Sequence, residues 1–265
     1  MHHIAFESYG VRFYIQSNRR STLARSVRVA QTAMLGRLTE IQFDPAFSGF
    51  VVRETSDGLN LELDGEDLGG NPYKRGFYHY FGSRVKVLVA AAAKDVVFVH
   101  AGVIGWKGKA ALFPADSHVG KSTLTAALIR RGAVYFSDDY AIVDKNGLVH
   151  PFPRKLSIRH RDGSGEWTDR SASTYGAVTG DHPLPIGAAI LTRYEERSRW
   201  RPKVLTPGVG LLETIPFVIP FNENPAISLS VLKNALAPAI IAKSLRPDAD
   251  LCADAILHFI DKILF

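Results

Sequence analysis

Cysteine occurs once in the 265 residues, as Cys252. A lone thiol rules out an intrachain disulfide and a cysteine-rich zinc site, and it fits a reducing cytoplasm. Methionine is nearly as scarce, present only as Met1 and Met34. Long apolar runs are missing too. The nearest to one, VKVLVAAAAKDVVFVHAGVIGW, is broken by Lys94 and Asp95 and reads as a helix followed by a strand. It falls short of the roughly 18 uncharged residues that a membrane-spanning helix needs. The N-terminus, MHHIAFES, lacks the basic-then-apolar layout of a signal peptide, so a cytoplasmic protein without a membrane partner is expected.

An unbroken basic helix and an aromatic-plus-glycine RNA-binding signature are also absent. The formal charge of +6 is spread over short groups, namely Arg19-Arg20, Arg154-Lys155, Arg159 with Arg161, and Arg193 through Lys203. That pattern describes a solvated basic surface with a few arginines turned toward phosphates, and no nucleic-acid partner is expected. What is present is ordinary for a globular protein: 46% hydrophobic and 22% charged residues, enough to bury one large core or two.

Two parts are expected. Residues 1–72 read as a small α+β unit. IAFESYGVRFYIQS alternates as two strands broken at Gly10, and Ser21-Thr22 is placed to cap a helix through LARSVRVAQTAML. GFVVRET and LNLELDG are further strands around a Ser56-Asp57-Gly58 turn, and the turn-rich LGGNPYKRG sets a boundary near residue 72. Residues 73–265 open with a helical run from Gly76 to Lys94, then the strand VVFVHAGVIGW. Lys107-Gly108 turns that strand into KAALFPA. Asn146-Gly147 makes another hairpin, and LVHPFPRKLSIR continues as an edge strand carrying two prolines. Asp162 to Pro185 reads as a long loop, AAILTRY as a buried strand, and the chain closes with helices over about residues 226–245 and 250–264.

The chemistry concentrates between Ala111 and Asp139. ADSHVGKS, from Ala115 through Asp116, Ser117, His118, Val119, Gly120 and Lys121 to Ser122, has the spacing of a Walker A loop, with alanine at the first glycine position. Such a loop turns backbone N–H groups and a helix N-terminus onto phosphate oxygens and tolerates little side-chain bulk. Gly120 permits close approach, Lys121 spans the β- and γ-phosphates, and the Ser122 hydroxyl ligates Mg²⁺. Ala115 is tolerable there only with a negative φ. A bare GKS is a weak signal, but here the strand ALF precedes it and the amphipathic TLTAALIRRG, opening on Thr123, follows.

VYFSDD, from Val134 to Asp139, is an apolar run ending in two carboxylates, the Walker B layout, and a parallel strand is expected there. Two adjacent aspartates are by default a turn or helix cap. Beside a Walker A loop, one can position Mg²⁺ while the other sits where a nucleophile's proton must go.

HAGVIGWKGKAALFPADSHVGKSTLTAALIRRGAVYFSDDYAIVD resembles the catalytic core of the HPr kinase/phosphorylase family and its HPr-kinase-like relatives, among them kinases of lasso-peptide biosynthesis and free-serine kinases. The resemblance covers about 60 residues and matches without a gap from His100 to Asp139. It implies an α/β fold of the HPr kinase/phosphoenolpyruvate carboxykinase-like type, with the phosphate loop joining two β-rich layers. Carried over, Lys121 and Ser122 bind triphosphate and metal, and Asp138 is the general base for an attacking serine hydroxyl. Asp139 beside it is a metal or water ligand, and His100 sits near the phosphates. It also implies assembly into homo-oligomers. Three departures stand out: Ala115 at the first loop glycine, Thr123 for a glutamate, and Ser157 for an acidic residue in KLSIRH. The missing carboxylate sets this chain apart from a true HPr kinase/phosphorylase and points to a kinase relative.

Arg159 follows a strand expected to end near the loop and suits phosphate oxygens, as Lys155 does less well. His118 is loop lining. Arg193, Arg197, Arg199 and Arg201 could clamp an acidic substrate but more often such a run is solvated. His150, His160 and His182 lack metal-site spacing, and Trp167 and Trp200 are candidate contacts for a base or peptide. The expected function is transfer of the γ-phosphate of ATP, or of GTP, with Mg²⁺, to a hydroxyl. The expected acceptor is a serine of a peptide or protein. Two alternatives stand beside it: a free-serine type of small-molecule kinase, and a catalytically weak nucleotide-binding regulatory module.

Overall fold

A computed structural model describes residues 1–71, 73–116, 119–159 and 167–265, the side chains of Arg159 and Trp167 excepted. Contacts divide the chain into two compact units, Met1–Asp95 and Val96–Phe265. The division lies later than the boundary read from LGGNPYKRG, because the helix after that segment belongs to the first unit. Its Phe77, Phe81, Val85 and Val89 are buried, and Phe81 meets Phe50 edge-on at 5.4 Å.

The first unit is a mixed sheet with two helices. Its elements are β1 (His2–Ser8), β2 (Val11–Ser17), α1 (Arg20–Ala33), β3 (Thr39–Ile41), β4 (Ser48–Thr55), β5 (Gly58–Leu63), β6 (Glu66–Asn71) and α2 (Lys74–Ala92). The strands lie in the order β3-β1-β2-β4-β5-β6. Tyr9 and Gly10, both at positive φ (49° and 77°), make the tight turn between β1 and β2. Two expectations are corrected here. Ser21 and Thr22 do not cap α1, whose N-cap is Arg19; Thr22 lies inside the helix and its hydroxyl donates to the Glu54 carboxylate. The glycine-rich segment before residue 72 forms β6, paired with β5 through backbone groups that glycine supplies as well as any residue.

The second unit carries β7 (Val96–Trp106), β8 (Lys109–Pro114), α3 (Lys121–Ile129), β9 (Val134–Ser137), β10 (Tyr140–Asp144), β11 (Leu148–His150), β12 (Leu156–Arg159), β13 (Trp167–Arg170), β14 (Leu184–Tyr194), β15 (Lys203–Val204), α4 (Pro207–Thr214), α5 (Pro225–Leu236), β16 (Ile240–Arg246) and α6 (Ala249–Leu264). The main sheet runs β11-β10-β7-β8-β14-β16-β15, with β9 also on β7 and β11 returning to pair with β14. Strand alternation feeds a core on each face. Ile104, Phe113 and Ile190 face α3 and α6, while their neighbours Val103, Leu112 and Ala189 face α5. Gly102 lets α3 lie close on β7, where a Cβ would come within 2.7 Å of the Thr125 hydroxyl.

Three readings of this unit change. β9 is antiparallel to β7, and among the described residues its parallel pairing is limited to the single bridge of Tyr135 to Thr179; an apolar run reveals a strand but not its partner. β8 is also antiparallel to β7, so β8 and β9 run the same way on either side of it and deliver their C-terminal ends to one edge. LVHPFPRKLSIR is two strands in different sheets, since the prolines interrupt the ladder: β11 stays in the main sheet and β12 pairs with β13. The penultimate helix stops at Leu236. Pro238 removes an amide donor and the Ile-Ile run that follows favours extended backbone, so residues 240–246 form β16, parallel to β14.

Candidate functional site

The site grows from the ends of β8 and β9. After β8 the chain passes through Ala115 and Asp116, and after Val119 it enters α3 at Gly120, with φ of 88° and no side-chain cap. Glycine is required twice over there. The left-handed backbone disfavours a side chain, and a Cβ would meet Arg246 Nη2 at 2.8 Å. Ala115 has no positive φ, so alanine is tolerated at the first glycine position. Its amide bonds the His100 carbonyl at 3.4 Å, which ties the start of the loop to β7. Ser117 and His118, two of the loop residues singled out from sequence, lie outside the described residues.

Lys121 opens α3 and folds back across the loop. Its Nζ donates to the carbonyls of Ala115 at 2.8 Å and Asp116 at 2.6 Å. Burial lowers its ammonium to about 8, against the opposing pull of Asp139, Asp138 and Asp116. Ser122 follows in the first turn, near enough to the Asp138 carboxyl to oppose the rise of its pKa. Thr123 is half-buried in the same turn.

Asp138 and Asp139 occupy the bend between β9 and β10. The Ser137 hydroxyl fixes it by accepting from the amides of Asp139 (3.2 Å) and Tyr140 (3.1 Å). Asp138 is 8% exposed. Burial pushes its carboxyl up to about 6, with Asp139 adding to the rise and Ser122, Arg154 and Tyr135 opposing it. The Tyr135 hydroxyl is shared between the Arg154 carbonyl at 2.7 Å and Asp138 Oδ1 at 3.3 Å. Asp139 is more open, and its Oδ2 accepts from Arg154 Nη1 at 2.7 Å. His100, opposite Tyr140 in the β7–β10 ladder, presents its ring edge-on to Tyr140 at 6.0 Å between centroids.

Lys121, Ser122, Asp138 and Asp139 therefore meet at one sheet edge, with Gly120 and Ala115 shaping the loop and His100 beside it. Arg159 ends β12, where its backbone pairs with Trp167; its side chain lies outside what is described. Ser157 faces Asp169 across the same hairpin and donates to it at 2.5 Å. The remaining candidates among the described residues make the following contacts. Trp200 packs against Phe259 at 6.1 Å, Arg193 pairs with Glu195 at 3.7 Å, and His150 bonds Asp144 at 2.9 Å. His182 bonds exposed Asp181 at 2.6 Å, and His160 lies outside the described residues.

Sequence reasoning missed Tyr135, Arg154 and Arg246. Arg246, at the end of β16, is 3% exposed. Its Nη2 donates to the loop carbonyls of Val119 at 3.3 Å and Gly120 at 3.0 Å. Among the described residues its Nε has no hydrogen-bond partner. Pro238 was the signal for β16, and with it for a strand end beside the loop.

As a whole, the site sets a helix N-terminus, an ammonium and a hydroxyl against one buried and one accessible carboxylate. Among the described residues no cluster of three or more His, Cys, Asp or Glu side chains could hold a metal, and no helix is long and apolar enough to cross a membrane. Among solved structures the chain is similar to the Hpr(Ser) kinase/phosphatase from Coxiella burnetii, with a TM-score of 0.31 and 16% identity over 62% of this chain and 88% of that one. No protein-family model and no curated protein matches the chain.

Proposed function

We propose that the protein is a Mg²⁺- and ATP-dependent kinase of the HPr-kinase-like type that phosphorylates a hydroxyl, a serine of a peptide or protein. The observation that carries this reading is Asp138: a buried carboxyl, 3.3 Å from the Tyr135 hydroxyl and beside Ser122 of the Gly120 loop helix, raised to about 6 by burial. A general base working near neutral pH needs such a value.

The α3 N-terminus and Lys121 supply positive charge to the β- and γ-phosphates. The Ser122 hydroxyl and the Asp139 carboxylate offer oxygen donors of the kind Mg²⁺ takes together with substrate phosphates. When bound, Mg²⁺ would neutralise charge on the phosphate oxygens. Asp138 orients the acceptor hydroxyl and takes its proton. As the acceptor oxygen bonds to the γ-phosphorus, the bond to the bridging oxygen breaks and its electron pair leaves with ADP. Positioning and charge stabilisation supply most of the acceleration in such a transfer.

The test is mass spectrometry of serine-containing peptides and of free serine, each incubated with the protein, Mg²⁺ and γ-¹⁸O-labelled ATP. Labelled phosphate on a peptide hydroxyl supports the reading. Label on free serine alone replaces the acceptor with a metabolite. Tight nucleotide binding with no transfer to either replaces the enzyme with a nucleotide-binding regulatory module.

A further inference from the structure

Arg154 is held at the site through its main chain, and its side chain is only partly buried. Phe152 is fully buried, and its amide bonds the Phe136 carbonyl at 2.9 Å. Pro153 restricts the next φ, and the Arg154 carbonyl accepts from Tyr135 at 2.7 Å. The strand that presents Asp138 and Asp139 therefore also anchors the Arg154 backbone. The Arg154 side chain is 32% exposed and meets Asp139, itself 21% exposed. Asp138 feels Arg154 as well, through its charge.

We infer that Arg154 is a catalytic residue of the phosphotransfer site, exchanging its Asp139 partner for an oxygen of the transferring phosphoryl group; this rests on the kinase reading above. Arg154 holds only the Oδ2 oxygen of Asp139. A metal drawn to that carboxylate would compete with the guanidinium for its charge, and the anion that enters the site beside Arg154 is phosphate. A planar fork of donors matches phosphate oxygens, which gather charge as the acceptor–phosphorus bond forms, the bridging bond breaks toward ADP and the acceptor proton passes to Asp138. Its pairing with Asp139 keeps the group at the site beforehand.

The experiment compares the affinity of the full chain for Mg²⁺-ADP with and without aluminium fluoride, a mimic of the transferring group, in wild type, Arg154→Ala and Arg154→Lys. The wild type should bind ADP more tightly when aluminium fluoride is present. Arg154→Ala should bind ADP alone within about threefold of wild type, because the residue contributes to the transferring group rather than to the nucleotide. It should lose the aluminium fluoride tightening, and turnover with any acceptor should drop on the order of a thousandfold. Arg154→Lys should recover part of the tightening. Both variants keep the backbone carbonyl that Tyr135 bonds, so a folding defect is not expected. Equal tightening in Arg154→Ala and wild type overturns this inference alone. A wild type that binds ADP but never tightens overturns the phosphotransfer reading and this inference with it.

Discussion

Arg246 Nη2 lies 3.0 Å from the Gly120 carbonyl, so a strand more than a hundred residues downstream holds the outer side of the loop. Loop carbonyls tied outward leave loop amides turned inward, the arrangement an anion requires. Arg246→Met keeps apolar volume but removes the Arg246 donor from the Val119 carbonyl and one of two donors from the Gly120 carbonyl, which still accepts from the Leu124 amide. A loss of about 1–3 kcal/mol per unsatisfied group is expected, read from urea unfolding. ATP affinity should fall alongside, measured by calorimetry.

Gly120→Ala should do more local damage. The left-handed φ of 88° costs an alanine about 1–2 kcal/mol, and its methyl group would push on the Arg246 guanidinium. ATP affinity should fall by at least tenfold, roughly 1.4 kcal/mol, while the far-UV circular dichroism spectrum is retained.

Asp138 makes stability and activity depend on pH in opposite ways. Its carboxyl is raised to about 6 by burial, above the unfolded value, so the folded state binds the extra proton. Its favourable share of stability is complete below the unfolded value and is lost as pH rises toward 6. Asp138→Asn removes that dependence, and relative to wild type it should gain up to about 3 kcal/mol between pH 4 and 7. Turnover should run the other way, rising through pH 6 as the base ionises. Parallel melts and rate profiles check both slopes.

Lys121 carries a related prediction. Burial holds its ammonium near 8, so near pH 8.5 much of it is neutral before a triphosphate arrives. Binding of the anion should recharge it, and calorimetry in buffers of different ionisation heat should show proton uptake at pH 8.5 and little at pH 6.5. Lys121→Ala should abolish the uptake.

The strand–loop–helix around Gly120 was legible because its signals are local: an apolar strand, glycine and lysine at fixed spacing, then a helix. Lys107 and Gly108, both at positive φ, and the carboxylates after β9 were legible for the same reason. What escaped depends on distance along the chain. The direction of β9 relative to β7 is a pairing fact that alternation cannot carry. β16 was hidden by apolar residues that suit a helix as well as a strand, although Pro238 argued against a helix through that point. Arg154 and Arg246 reach the site only through contact with β9 and the register of β16, so in sequence Arg154 was one basic residue among several and Arg246 was marked only indirectly, by Pro238.

Asp138 is predicted to serve the chemistry and not the nucleotide. The most direct measurement pairs ATP affinity with single-turnover phosphoryl transfer for wild type and Asp138→Asn. Unchanged affinity, within about threefold, with transfer lowered by a factor on the order of a thousand is the predicted result. Affinity and transfer falling together, or transfer surviving in Asp138→Asn, would contradict it.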